Sequence, residues 1–307
     1  MLSKHPISTD CYYGSGVKEW RSFPPDVRAC SFMTVRAVAH GCFPYRMPDG
    51  SLVFPNDDVE RVYKITGWEY EAAQRTGTVR VREVIDFTYF EELTDFSDYV
   101  DYFYQMKAQA KANGNKPAYT FAKLLMNALY GKFGSNPQEY REYMAAGWWQ
   151  IDENGQAGEW TFNCALGGES DPVVVSRPQP DERQKFYNIA TAASITGFVR
   201  AYLHESICKC EGVLYCDTDS IVARNVGALA YSEKLGDWEL EGTFDYGAFG
   251  GKKMYALHYK GKPKRFDPRD RATWNHWKIA SKGIRATPDD LRRIARGESV
   301  VYIPDAP

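Results

Sequence analysis

Three stretches in the first third of the chain have the hydrophobic pattern of β-strands. Ser31–His40 is rich in β-forming residues and roughly alternates apolar with polar positions, so it predicts a strand. Tyr45–Phe54 carries the turn signal Met47-Pro48-Asp49-Gly50 near its centre and predicts a hairpin. Val79–Tyr89 predicts a further strand.

Helical periodicity follows these strands. Ser97 is a suitable N-cap for a helix that ends at Gly114, and Pro117 suits the first position of a second helix. The predicted apolar face of that second helix comprises Phe121, Leu124, Leu125, Ala128 and Leu129. A third, long helix rich in small residues is predicted over Asn188–Lys209.

The order of these elements indicates the fold class. Residues 136–186 are polar and rich in Gly and Pro, which favours sheet and loop, and Glu211-Gly212 turns the chain into the short apolar run Val213–Tyr215. Strands and helices do not alternate regularly, so we expect an α+β fold rather than a doubly wound sheet.

Composition and charge narrow the class of protein. The 307 residues are 44% hydrophobic and 25% charged, which is typical of a globular chain and excludes wholesale disorder. The net charge is −2, but Gly251–Arg296 holds 14 Lys and Arg against 4 Asp and Glu. This basic region is compatible with a nucleic-acid surface, and a solvated Lys-rich surface is the alternative.

The seven cysteines are scattered, which is typical of a reduced intracellular chain. Cys208 and Cys210 form a CxC pair without a second pair or a set of nearby histidines, so a zinc site is kept only as an alternative. The N-terminus lacks the apolar segment of a signal peptide, and no apolar run is long enough to span a membrane.

The sharpest chemical signal is the segment Tyr-Cys-Asp-Thr-Asp-Ser at Tyr215–Ser220. Apolar residues on both sides predict two short buried strands that meet at an acidic turn. Since positions i and i+2 of an extended chain point the same way, Asp217 and Asp219 are expected to present two carboxylates to one point. Paired carboxylates at this spacing suit Mg²⁺.

Three other kinds of acidic segment can be compared with Tyr215–Ser220. A plain surface turn stays open, because Asp, Thr and Ser favour turns. An EF-hand is excluded, since there is no third acidic ligand and Ala228 stands where the loop needs Glu. A Walker-B aspartate needs a P-loop, and the nearest candidate, Gly247–Lys253, lacks its Gly spacing and its Ser or Thr.

Two weaker signals accompany it. On a helix, Lys123, Asn127 and Tyr130 fall within about 60° of one another, so a cation, an amide and a ring share one stripe. Such a stripe suits a triphosphate, a base and a sugar, although an ordinary amphipathic helix also explains it. Lys253 and Tyr255, two positions apart, suit a sugar-phosphate backbone.

In this order, the three segments resemble motifs of family B DNA polymerases. Lys123-xxx-Asn127-xx-Tyr130-Gly131 resembles motif B of the fingers, which binds the incoming nucleotide. Tyr215–Ser220 resembles motif C, the catalytic hairpin of the palm, and Lys253-Met254-Tyr255 resembles the KxY motif near the primer terminus. The resemblance covers most of the chain from about residue 97 onward.

Further segments are similar to the protein-primed phage subgroup. They are Gly131-Lys132-Phe133, Ser135-Asn136-Pro137, Lys234–Trp238 and the Cys216 that precedes the first aspartate of motif C. Lys282-Gly283-Ile284 resembles the start of the thumb. The resemblance implies a phage- or plasmid-encoded protein in the host cytoplasm, with a terminal protein as a candidate partner and no membrane association.

The resemblance also implies roles for single residues. It implies transfer of a nucleotide from a dNTP to primer–template DNA at a site with two Mg²⁺ ions. Asp217 would be a catalytic metal ligand, and Asp219 the second acid of the same site. The implied nucleotide-binding residues are Lys123, Asn127, Tyr130 and Gly131, and the implied DNA-binding residues are Lys253, Tyr255, Lys282, Thr218 and Ser220.

The implied architecture is the C-terminal half of a right-hand polymerase. Its expected parts are a partial palm with subgroup strands (1–96), fingers helices (97–135), insertion-like strands and loops (136–186), palm with motif C and KxY (187–256) and a short, basic thumb-like region (257–307).

The chain departs from the family in one respect. Motif A, an aspartate followed by Leu-Tyr-Pro, is missing; the nearest segment, Asp86–Phe90, lacks that tripeptide and lies too close to motif B. Met1–Pro6 resembles the stretch just after motif A, and the upstream exonuclease domain is missing. We therefore expect a separate N-terminal part to supply motif A, and very poor activity without it.

Alternative identities stay open at this point. The chain can be an inactive polymerase remnant that still binds DNA or another replication protein, or a partial sequence. It can also be an unrelated α+β protein with an Asp-rich turn.

Overall fold

The computed structural model describes residues 3–136, 139–168, 171–179, 187–232, 234–284 and 286–301. Helices and antiparallel sheets both occur in quantity, which confirms the α+β prediction. Met1, Leu2 and Pro137, which belong to segments that resemble the polymerase family, lie outside the described residues. In the ranges given above, no helix combines the length and apolar character needed to cross a membrane.

The chain forms two compact units, one up to Ala201 and one from Tyr202 onward. The strands of the first unit are β1 (His5–Pro6), β2 (Tyr12–Gly14), β3 (Phe32–Ala39), β4 (Tyr45–Arg46), β5 (Leu52–Val53), β6 (Arg61–Thr66), β7 (Val79–Tyr89), β8 (Leu93–Thr94), β9 (Arg141–Ala146), β10 (Gln156–Ala157), β11 (Trp160–Ala165) and β12 (Val173–Pro178). Its helices are α1 (Val17–Ser22), α2 (Pro25–Cys30), α3 (Gly67–Thr76), α4 (Ser97–Ala112), α5 (Lys116–Phe133) and α6 (Ile189–Cys208), the last of which continues past the boundary.

The main sheet of the first unit has the strand order β2-β7-β3-β6. Strand β3 alternates half-buried with buried residues, and its inward side chains meet rings from β6 and β7. The core includes Met33, Val35, Ala37, Tyr63 and Phe87. The strand predictions for Ser31–His40 and Val79–Tyr89 are thus confirmed, and β4 and β5 confirm the hairpin in Tyr45–Phe54.

The start of α3 is fixed by a buried polar cluster. Thr66 and Glu69 form a capping box, and the Glu69 carboxylate, 1% exposed, accepts from Arg200 Nε at 2.7 Å. Gly67 lies so close to the Arg28 carbonyl that a Cβ would stand 1.8 Å from its oxygen. Only glycine fits there, so the sequence allows α3 to begin against the end of α2.

Helices α4 and α5 pack against each other, and their ends differ from the prediction. Ser97 is not the N-cap of α4: Phe96 holds that position, and the Asp95 carboxylate accepts from Ser97 N at 3.0 Å. Helix α5 begins one residue before Pro117, and Asn115 caps it by accepting from Ala118 N at 3.1 Å. Short polar side chains just upstream therefore fix both helix starts.

The predicted apolar face of α5 is only partly correct. Leu125 and Leu129 are half-buried beside the fully buried Ala122, and Tyr99 of α4 donates to the Leu125 carbonyl at 2.9 Å. Phe121 and Leu124, in contrast, are 57% and 63% exposed, and Ala128 is exposed as well. One packed helix covers only one stripe of α5, so apolar residues beyond that stripe stay in solvent.

Residues 139–179 contain the expected sheet and loop. The described strands pair in the order β10-β11-β12-β9 around a small core of Ala146, Val173 and Val175. This sheet has its own hydrophobic centre, separate from that of the main sheet.

Helix α6 is anchored to the start of the chain. Asn188 caps it by accepting from Thr191 N at 3.1 Å, and its amide donates to the Ile7 carbonyl at 2.9 Å. His5 is buried, with Nδ1 at 3.0 Å from Ser194 Oγ and its ring against Trp68. Burial lowers the pKa of His5 from 6.5 to about 4.

The second unit contains a hairpin and a three-stranded sheet. Its strands are β13 (Glu211–Asp217), β14 (Ser220–Asn225), β15 (Phe244–Gly251), β16 (Met254–Tyr259) and β17 (Trp277–Ser281), and its remaining helices are α7 (Arg271–Trp274) and α8 (Pro288–Ala295). Strands β13 and β14 pair with each other, and the other three follow the order β15-β16-β17. Helix α8 covers that sheet through Leu291, which packs with Ala256 and Ala286.

The buried His5 predicts a loss of stability in acid. The unfolded histidine binds a proton below about pH 6.5, whereas the folded one does so only near pH 4, so acidification favours unfolding between these values. We expect His5 to contribute about 3 kcal/mol to the fall in the free energy of unfolding from pH 7 to pH 4. Chemical denaturation of wild type and His5→Gln at several pH values measures this contribution.

His40→Gln, at a half-exposed histidine of the same unit, is the matched control. The expectation is wrong if His5→Gln keeps the full pH dependence of the wild type.

The packing of α5 predicts different costs for two adjacent leucines. Leu125→Ala removes a half-buried side chain and should lower the free energy of unfolding by about 1–2 kcal/mol. Leu124→Ala, at an exposed position, should change it by less than about 0.5 kcal/mol. Equal costs in urea denaturation would show that the helix buries a different stripe.

Candidate active site

The acidic hairpin has a tight turn rather than two extended strands in continuous register. Asp217 pairs with Ser220, and Asp219 N donates to the Asp217 carbonyl at 2.6 Å. Thr218 adopts the left-handed conformation, with φ of 53°. The alternation that predicted a shared direction for Asp217 and Asp219 therefore does not apply across this turn. The prediction that the strands are buried is also wrong, because their residues are half-buried or exposed.

The two aspartates have different surroundings. The Asp217 side chain is 16% exposed, and its Oδ2 lies 3.8 Å from Lys253 Nζ. The Thr218 hydroxyl donates to Asp217 Oδ1 at 3.0 Å. Asp219 is exposed, and within the described ranges its carboxylate has no hydrogen bond or ion pair. Asp217 is thus held in place, whereas Asp219 faces solvent.

Tyr215 connects this hairpin to the three-stranded sheet. Its ring stacks on Phe249 with a centroid distance of 5.6 Å and contacts the Tyr255 ring at 5.1 Å. Its hydroxyl donates to Asp217 Oδ2 at 3.4 Å and accepts from Lys253 N at 2.9 Å. The hairpin and the turn between β15 and β16 therefore share one aromatic residue.

The Lys-Lys turn between β15 and β16 carries the second predicted group. Lys253 adopts the left-handed conformation, with φ of 57°, and its carbonyl accepts from Lys282 N at 3.1 Å. Tyr255 follows on β16, opposite Ala280 of β17. Burial raises the pKa of Tyr255, so its phenol stays protonated at neutral pH.

These residues line one open cleft with a volume of about 310 Å³. The residues around it are Tyr215, Asp217, Ser220, Lys253, Tyr255, Ala280, Ser281 and Lys282. Five residues that the sequence singled out separately therefore meet in one place: Asp217, Ser220, Lys253, Tyr255 and Lys282. Thr218 lies in the same turn but does not line the cleft.

Three lining residues were missed by the sequence analysis. Tyr215 stands two positions before Asp217 on the same strand, and that spacing was a usable signal for a shared direction. Ala280 and Ser281 enter through the pairing of β17 with β16, and no local pattern in the sequence indicates that register.

The predicted stripe on α5 lies in the first unit. Lys123, Asn127, Tyr130 and Gly131 are all exposed, and Tyr130 is 52% exposed. Phe121 and Leu124 of the same helix are exposed as well, so α5 presents both polar and apolar side chains to solvent.

Asp86, the nearest candidate for the missing motif A, lies on β7 and also belongs to the first unit. It lines a cleft of about 290 Å³ together with Lys64, Glu69 and Arg200. The cleft around Asp86 therefore holds charges of both signs, and its Arg200 is already paired with Glu69.

The side chains that can ligate a metal are dispersed in the parts of the chain that the structure describes. They contain no cluster of three or more His, Cys, Asp or Glu side chains that could hold a metal ion. His204 lies one helical turn before Cys208, and its Nε2 is 3.6 Å from Cys208 Sγ. The sequence analysis did not indicate this contact. Cys210 instead donates to the Ser206 carbonyl at 3.3 Å.

Comparison with known proteins decides the family. The family model described as "DNA polymerase type B, organellar and viral" matches residues 1–154. The chain belongs to the type B DNA polymerases. The α+β fold is accordingly that of a portion of such a polymerase.

The curated relatives include phage polymerases, in line with the resemblance to the phage subgroup. The DNA-directed DNA polymerase of Enterobacteria phage PRD1 is 33% identical over 293 residues, which are 94% of this chain and 47% of that protein. A probable DNA polymerase of Neurospora intermedia is 29% identical over 193 residues, 59% of this chain and 19% of that protein. The DNA polymerase of Bacillus phage Nf is 26% identical over 78% of this chain and 39% of its own length.

Solved type B structures share the fold. Phi29 DNA polymerase complexed with primer–template DNA superposes with a TM-score of 0.55 at 18% identity, over 97% of this chain and 49% of that one. The orthorhombic crystal form of phi29 DNA polymerase gives the same TM-score, with 50% of that chain covered. This chain therefore spans about half the length, or less, of the relatives that it matches.

Proposed function

We propose that this chain provides part of the nucleotidyl-transfer site and of the primer-binding surface of a type B DNA polymerase. The observation that carries the proposal is the cleft in which Asp217, Lys253, Tyr255 and Lys282 meet. A carboxylate, two cations and a phenol around one open cleft suit a primer end and a divalent cation together.

Asp217 is the proposed metal ligand. Its carboxylate is mostly buried, is oriented by two hydroxyl groups and lies at the edge of the open cleft. Hard carboxylate oxygens beside solvent fit Mg²⁺, which uses few protein ligands and completes its shell with water and phosphate. Asp219, exposed on the same turn, is the proposed second acid. When bound, Mg²⁺ supplies neutralisation of the charge that develops on the transferring phosphate.

Primer binding is assigned to the cations and the phenol of the cleft. The side chain of Lys253 is 55% exposed and can leave Asp217 for a backbone phosphate. Lys282 is linked to the same turn through its backbone amide, and Tyr255 adds a ring and a neutral hydroxyl. Thr218 and Ser220 are the remaining proposed DNA contacts on the acidic turn, and in this structure their hydroxyl protons are directed to Asp217. Phosphate contacts of this kind fix the position of the DNA without reading its sequence.

Nucleotide binding is assigned to the exposed stripe on α5. Lys123 supplies a point charge for a triphosphate, and Asn127 and Tyr130 supply an amide and a ring for the base and sugar. Gly131 leaves the backbone of the same helical stripe uncovered.

The partner in this proposal is a second polypeptide segment that carries motif A and an exonuclease. Its support is the length of the relatives, since this chain corresponds to 47% of the phage PRD1 polymerase. The family parts proposed for this chain are the partial palm (1–96), the fingers (97–135), the insertion (136–186), the palm with the acidic hairpin (187–256) and the thumb-like region (257–307). A terminal protein as a partner and a site of action in the host cytoplasm, which the resemblance to the protein-primed phage subgroup implies, belong to the same proposal.

Primer extension tests the proposal. The full chain is incubated with primer–template DNA, dNTPs and Mg²⁺, alone and with the polypeptide encoded immediately upstream. We expect primer extension only in the mixture. In Asp217→Asn the extension rate should fall by at least about 100-fold, because a neutral amide does not replace a carboxylate as a ligand of Mg²⁺.

Glu211→Gln is the matched control, since it removes an exposed carboxylate at the other end of the same strand. It should leave extension unchanged. DNA binding without extension in the mixture would favour the alternative of a binding subunit or remnant. Extension that survives in Asp217→Asn would contradict the assignment of the metal ligand.

A further inference from the structure

The hydroxyl of Tyr215 lies between the carboxylate and the lysine of the cleft. It donates to Asp217 Oδ2 at 3.4 Å and accepts from Lys253 N at 2.9 Å. We propose that Tyr215 is a positioning residue that holds the Lys253 turn at a fixed separation from the Asp217 carboxylate. The inference rests on the proposed function, because the separation matters only if both groups act on one primer end.

The direction of this hydroxyl is set by packing. The ring is stacked on Phe249 and tilted against Tyr255, so it cannot swing away without losing both contacts. A tyrosine hydroxyl has one proton to donate and lone pairs to accept with, and the two observed bonds use one of each. Both bonds can therefore form at the same time.

Lys253 is a residue whose backbone needs external support. It adopts a left-handed conformation that side-chain-bearing residues avoid, at the tip of a two-residue turn. Its N–H donates to Tyr215, and its carbonyl accepts from Lys282 N at 3.1 Å. Both polar backbone groups of Lys253 are thus held from outside its own hairpin turn, one by the acidic hairpin and one by the residue after β17.

Removing the Tyr215 hydroxyl should make the Lys253 turn less ordered and should leave the charge of the cleft unchanged. In Tyr215→Phe the ring stack is kept, but Lys253 N and Asp217 Oδ2 each lose a partner. The turn then samples more conformations, and Lys253 has to be ordered when DNA binds. Affinity should fall while the number of cations that contact phosphate stays the same.

Amide hydrogen exchange on the full chain tests the contact itself. In Tyr215→Phe the Lys253 amide should exchange about 3- to 10-fold faster, which corresponds to the loss of one hydrogen bond. Tyr246→Phe is the matched control, because its ring lies on Trp277 in the same sheet and outside the cleft. Unchanged exchange at Lys253 in Tyr215→Phe would overturn the proposal.

Binding of a defined primer–template duplex, followed by fluorescence anisotropy from about 50 to 200 mM salt, tests the consequence. Tyr215→Phe should weaken binding about 3- to 10-fold at every salt concentration without changing the slope of log K against log salt. Lys253→Ala should instead reduce that slope by about 0.9, since it removes one phosphate contact.

The outcomes separate the two proposals. If the wild type does not bind the duplex, the proposed function fails, and the role of Tyr215 fails with it. If the wild type binds and Tyr215→Phe behaves like Tyr246→Phe, only the positioning role fails. A reduced salt slope in Tyr215→Phe would also overturn it, because Tyr215 would then act through the number of ionic contacts.

Discussion

The acidic hairpin depends on aromatic packing, because a two-stranded hairpin alone is at best marginally stable in water. Tyr215 provides that packing through Phe249 and Tyr255 of the neighbouring sheet. Aromatic pairs of this kind contribute about 0.5–1.5 kcal/mol each beyond their buried area. The same ring brings its hydroxyl to Asp217 and to the Lys253 turn. Tyr215 therefore contributes both to the stability of the hairpin and to the geometry of the cleft.

Much of this fold can be predicted from local pattern. Val79–Tyr89 is a strand with the predicted bounds, and Asn188–Lys209 differs from the observed α6 by one residue at each end. In both cases a long periodic segment specifies its own element. The location of the acidic turn was also predictable, because Asp, Thr and Ser interrupt an apolar run there.

The rest depends on partners that local pattern does not specify. Leu124 and Leu125 are chemically identical neighbours, and only tertiary packing decides that the first is exposed and the second half-buried. The left-handed Thr218 breaks the strand alternation on which the pairing of Asp217 and Asp219 was based. Ser281 lines the cleft through the register of β17 against β16, which is a long-range property of the sheet. Sequence reasoning therefore selected five residues that line one cleft but not the whole of its lining.

Charge balance bears on the metal ligands proposed for the cleft. A two-metal site brings two doubly charged ions into one cleft, and carboxylates must offset them. In the described cleft one lining carboxylate, Asp217, faces two lining lysines, Lys253 and Lys282. That arrangement suits an anionic group better than a pair of cations, so the proposed two-metal site requires carboxylates in addition to Asp217, of which Asp219 is the proposed second. Under the proposed function, primer contact and catalysis accordingly make different demands on this cleft, because contact uses its lysines and catalysis requires carboxylates as well.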